Sequence, residues 1–147
     1  MKRLFGLLIV ALAAAGCKNM PMAGSGSLEP QPAPEGAVCY IISPADGATV
    51  GKTFTVRFGL KGMGVAPAGI NMANTGHHHL LIDMDKLPPM DKPLPASDNL
   101  KHFGGGQTET TLTLEPGKHT LQLIVGNYLH VPHIKPVMSK KITITVK

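Results

Sequence analysis

Seventeen glycines and thirteen prolines are spread along the chain so that every candidate amphipathic helix is interrupted. Gly removes the backbone restriction a helix relies on, and Pro removes a donor and clashes with the preceding turn. What survives between these breaks are short runs with period-2 alternation, the mark of half-buried strands. Phe54, Val56, Phe58 and Leu60 alternate with Thr53, Thr55, Arg57 and Gly59. Further runs are Ala37–Ile42, His77–Met84, Thr108–Leu114, Lys118–Val125 and Ser139–Val146. They predict an all-β domain, an immunoglobulin-like two-sheet β-sandwich of six to seven short antiparallel strands. A long Pro-rich loop is expected from Asp85 to about Gln107, and loops of that length in a compact domain usually carry function.

The N-terminus reads as an export signal. Met1-Lys2-Arg3 precedes an apolar run from Leu4 to Ala15, too short for a permanent membrane helix, and then Gly16-Cys17. Ala14-Ala15-Gly16-Cys17 resembles a bacterial lipobox, which implies cleavage after residue 16 and lipidation of Cys17. Residues 1–16 are then signal peptide, 17–36 a lipidated, flexible Pro/Gly/Ser-rich tether, and 37–147 the sandwich domain. The expected location is the cell envelope, anchored through the lipid. By analogy with lipoprotein sorting, Lys18 points to an outer membrane facing the periplasm. Removing residues 1–16, Lys2 and Arg3 among them, lowers the formal charge from +5 to +3. The remaining basic residues form no stripe and there is no Trp, so nucleic-acid binding is not expected. With Cys17 lipidated, Cys39 has no disulfide partner and fits a buried structural thiol.

Chemistry falls to the seven histidines, since no nucleophile elbow, phosphate-cradling loop or evident carboxylate pair is present. In His77-His78-His79, strand alternation sends His77 and His79 to one face, with Leu81 and Asp83, and His78 to the other, with Leu80, Ile82 and Met84. Two imidazoles at i and i+2 can share a metal; three adjacent histidines can equally be a solvated strand start. His102 joins them if the end of the long loop returns antiparallel to this strand. Pro132 bars a helical reading of His130-x-x-His133, yet in a loop both rings can converge on one ion. The metal candidates are therefore His77, His79, His102, His130 and His133. His78, His119, Asp83 and Met63 are candidates for structural or supporting roles. His119 occupies the place where immunoglobulin-like sandwiches carry a corner tyrosine, two residues before the inward Leu121. A lone Cys39 early in the chain disfavours a blue-copper site.

The runs Phe58–Gly69, Gly76–Asp83, His102–Glu109 and 116–123, with His130-x-Pro-His133 and the closing Ile142–Val146, resemble the bacterial family known as domain of unknown function 4399, from about Tyr40 onward. The resemblance implies an exported domain and supplies no activity. A weaker likeness is to copper/zinc superoxide dismutases, through His77-x-His79, His102 and His130; the chain departs in lacking their disulfide and any late Arg. The leading expectation is a non-enzymatic lipoprotein binding a transition metal, copper before zinc, for storage, delivery or sensing, with a periplasmic metal-handling or envelope protein as partner. The alternatives are a metal-free interaction or structural module and a copper-dependent, superoxide dismutase-like enzyme.

Overall fold

In the structure, a computed structural model that describes residues 30–147, the apolar runs become nine short strands, with no helix among the described residues. They are β1 (Val38–Ser43), β2 (Thr49–Val50), β3 (Thr53–Lys61), β4 (Gly64–Val65), β5 (Thr75–Ile82), β6 (Leu100–His102), β7 (Glu109–Thr113), β8 (Gly117–Gly126) and β9 (Ile142–Val146). One sheet has the order β1-β3-β7; the other has the order β2-β9-β8-β5-β4, with β6 also pairing β5. This is a β-sandwich. The proposed signal peptide and Cys17 lie outside the described residues. The last part of the stretch read as tether lies against the domain: Ile134 N–H donates to the Gln31 carbonyl at 3.0 Å, and Ala33 packs on the core.

Three of the nine strands, β2, β4 and β6, fall outside the runs read from the sequence, and two pairings, β2 with β9 and β4 with β5, are parallel rather than antiparallel. β2, β4 and β6 are two or three residues long, too short to show a period of their own.

The main core joins the inward positions of both sheets: Val56 and Phe58 of β3, Leu80 and Ile82 of β5, Leu121, Leu123 and Val125 of β8, and Ile142, Ile144 and Val146 of β9. Cys39 is buried there too, and burial pushes its thiol up to about 12. β5 and β8 are covered on their outer faces as well, where Leu81 and Ile124 pack with Leu94 and Leu100 from the long loop. A strand buried on both sides has no polar face to alternate with, which is why Leu80-Leu81-Ile82 is apolar throughout. The segment 85–107 is therefore a packed cover, tied down by Ile82 N–H to Asn99 O at 2.8 Å and by Asn99 Nδ2 to Ile82 O at 2.8 Å.

The corner expected at His119 is present. Its Nε2 lies 2.8 Å from the Glu115 carbonyl oxygen, spanning the turn from β7 to β8 as a corner tyrosine does.

Candidate metal centre

The site grows out of strand register. His77 faces Gly126 of β8 across the ladder, and His79 sits between Ile124 of β8 and His102 of β6. Directly opposed residues in adjacent strands project to the same side. His102 thus stands beside His79, with His77 two residues along on the same face. The antiparallel return of the loop end makes this juxtaposition, as the sequence reading required. One nitrogen from each of His77, His79 and His102 can be chosen so that all lie within 4.8 Å of one another, a spacing that can hold a metal ion.

His130 joins the same ring cluster from a separate turn. Its centroid lies 5.0 Å from that of His77, 4.6 Å from His102 and 6.0 Å from His79. Asn127 builds that turn: its side-chain oxygen accepts from the backbone N–H of Leu129 at 2.8 Å and of Val131 at 3.0 Å, and its carbonyl accepts from His130 N–H at 2.8 Å. His130 takes a φ of 68°, in the left-handed region that non-glycine residues adopt seldom. Leu94 N–H then donates to the His130 carbonyl at 3.0 Å, tying this turn to the long loop.

Glycines make room for the rings. A Cβ on Gly126 would stand 2.9 Å from His79 Cε1 and 3.1 Å from the His130 carbonyl carbon, and one on Gly104 would stand 2.6 Å from His102 Nε2. Residue 104 belongs to the Gly104–Gly106 triplet, which in sequence showed only that it is no phosphate loop. Its fit to an imidazole follows from strand pairing and is not written in the motif.

The electrostatics are those of rings held neutral. His77 and His79 are fully buried, and neither ring has a hydrogen-bond partner on either nitrogen. Burial, reinforced by neighbouring imidazoles, lowers His77 to about 4 and His79 to about 3. The more exposed His102 is lowered for the same reasons, burial first and then His130. A buried polar group without a partner costs about 1–3 kcal/mol, so four such nitrogens are a standing cost that a metal ion would relieve at one nitrogen per ring. Neutral imidazole is also the form that ligates.

The remaining candidates separate cleanly. His78 points into the main core as its parity required, its ring 5.2 Å from that of Phe58 and tilted against it; burial lowers it to about 4, with the Gln107 backbone opposing. Met63 packs against the main core. Asp83 does not continue the His77/His79 face: its φ of 54° ends β5, and its carboxylate instead accepts from Thr120 N–H at 2.7 Å and pairs with His119 Nδ1 at 2.7 Å. The same break turns Met84 onto the outer cluster with Leu81, where strand parity had placed it with Leu80 and Ile82. His133 is absent from the ring contacts among the described residues. After the bridge between Gly126 and Pro132, it lines a cleft with Pro30, Met90 and Asp91, buried, its Nδ1 unpartnered and its pKa lowered by burial.

Fold and ring cluster together define a β-sandwich domain with a candidate metal centre built of histidines. The chain belongs to the family described as "Domain of unknown function (DUF4399)", whose model matches residues 56–147. No curated protein matches it. Among solved structures, the chain is similar to the endo-beta-1,4-mannanase from Thermotoga petrophila, at 20% identity and a TM-score of 0.44, over 76% of this chain and 20% of that one. The chain therefore spans about a fifth of that enzyme's length.

Proposed function

We propose that this domain binds a transition-metal ion through His77, His79 and His102, with copper favoured over zinc, and that it stores, delivers or senses that ion without catalysing a reaction. The observation that carries this reading is the convergence of three imidazoles within 4.8 Å while two of them are buried with no other partner. Imidazole suits both copper and zinc, and three imidazoles alone leave the coordination geometry open, where the affinity order of divalent ions at nitrogen sites favours copper. Lipidation at Cys17 would hold the domain at the cell envelope, with a metal-handling or envelope protein as its partner; the lipobox-like residues support this.

A superoxide dismutase-like activity is the enzymatic alternative, and among the described residues no Arg stands at the ring cluster to steer an anion. Arg57, the single Arg after residue 16, lies on β3 in the other sheet and is paired to Glu109 at 3.0 Å. Calorimetric titration of the full chain with Cu²⁺ and Zn²⁺, before and after H102A, tests the proposal. One ion per chain and a clear loss of affinity in the variant are expected. Binding no tighter than to a generic His-rich peptide, unchanged in H102A, would refute it.

A further inference from the structure

Four imidazoles, from three separate segments, surround the candidate centre, and their spacing carries information about coordination geometry. With a metal–nitrogen bond of about 2.1 Å, a ring centroid stands about 3.2 Å from the ion, and four rings in a tetrahedron lie about 5 Å apart. The same rings in a square plane would have four spacings of about 4.5 Å and two diagonals of about 6.4 Å. The centroids of His77, His79 and His102 are 4.8, 5.0 and 5.1 Å apart. His130 adds 5.0 Å to His77, 4.6 Å to His102 and 6.0 Å to His79. If the long His79–His130 pair were one diagonal of a square, His77–His102 would be the other, and that spacing is 5.0 Å. The four centroids are nearer a tetrahedron with one edge stretched than a square, while the nitrogens that already lie within 4.8 Å of one another are those of His77, His79 and His102.

We infer that His130 closes the site as a fourth ligand, giving an all-imidazole, near-tetrahedral sphere for a closed-shell ion, Zn²⁺ or Cu⁺. The inference rests on the proposed metal site and sharpens it. His77, His79 and His102 form a preset triad; His130 arrives on its own turn, 6.0 Å from His79, and must reorient toward that ring to ligate. Closed-shell ions impose no square-planar preference, whereas Cu²⁺ favours tetragonal fields. Four protein ligands also leave no open position for a substrate, which fits holding or passing on an ion and not turnover.

The test is ¹⁵N-edited NMR of the histidine rings in the full chain, titrated separately with Zn²⁺ and, without oxygen, with Cu⁺, followed by competition between the two ions. The expected result at one equivalent is a metal-bound shift at one nitrogen of each of His77, His79, His102 and His130, with H130A weakening affinity at least tenfold. The ion that displaces the other is the preferred occupant of the tetrahedral site. Shifts confined to the first three rings, with H130A unchanged, would overturn the fourth ligand and leave the metal site standing. A tetragonal Cu²⁺ signal that persists against equimolar Zn²⁺ or Cu⁺ would overturn the closed-shell assignment. Shifts in none of the rings would remove the metal site itself.

Discussion

At one end of the β5–β8 ladder His119 has a partner on each ring nitrogen, Asp83 Oδ2 at 2.7 Å and the Glu115 carbonyl at 2.8 Å. At the other end His77 and His79 have none. Both are histidine sites on the same pair of strands, yet the environments act in opposite directions. Two acceptors favour the imidazolium, so the hydrogen bond to Asp83 above all raises His119, whereas burial among other imidazoles lowers His77 and His79. The corner is complete as it stands and holds a turn. The cluster leaves its buried nitrogens without partners, at a spacing that can hold a metal ion. Burial without a partner does not by itself mark a metal site, since both nitrogens of His78 are unpartnered as well; what sets His77 and His79 apart is their convergence with His102.

The contrast can be broken most forcefully at the cluster. Replacing both His77 and His79 by Ala should lower metal affinity by more than about 100-fold, because losing an outer-shell partner alone costs 10–100-fold; H119A should leave affinity unchanged, both read by calorimetry. Next in size is G104A. Its new Cβ would stand 2.6 Å from His102 Nε2 and must displace that ring, so a loss of about tenfold in affinity is expected with no gross change of fold by circular dichroism.

A pH series separates the two ends by sign. The folded pKa of His119 is raised, so its contribution is fully present below the ordinary imidazole value near 6.5 and is lost as pH rises through the folded value. H119A should therefore cost about 1–2 kcal/mol in urea unfolding at pH 6, with the deficit shrinking on the alkaline side. His77 and His79 are depressed to about 4 and about 3, so the metal-free domain should keep their share of stability above about pH 6.5 and lose it as pH falls toward those values. The smallest effect is expected for H78L. It substitutes an apolar side chain beside Phe58, so metal affinity should stay within about twofold and stability should change by less than about 1.5 kcal/mol.

Much of this was legible in the residues. The alternation of Phe54, Val56 and Phe58 located β3, the parity of His77–His79 separated His78 from its neighbours, and Glu115–Leu121 announced the corner. The parity argument failed at Asp83, because a single left-handed residue resets which side the chain faces, and alternation cannot signal it. The choice between His130 and His133 was not legible either. Their sequence spacing is uninformative outside a helix, and the selection is made by Asn127 and by the bridge from Gly126 to Pro132. Nor could β6 be seen, three residues whose strand character is supplied by β5, although it delivers His102.

The central claim is that one metal ion sits among His77, His79 and His102. Anomalous diffraction from crystals of the full chain grown with one equivalent of Zn²⁺ or copper tests it most directly. The account predicts a single strong peak about 2.0–2.1 Å from a nitrogen of each of the three rings. A peak only at another site, such as the cleft beside His133, or none at all at full metal loading, would contradict it.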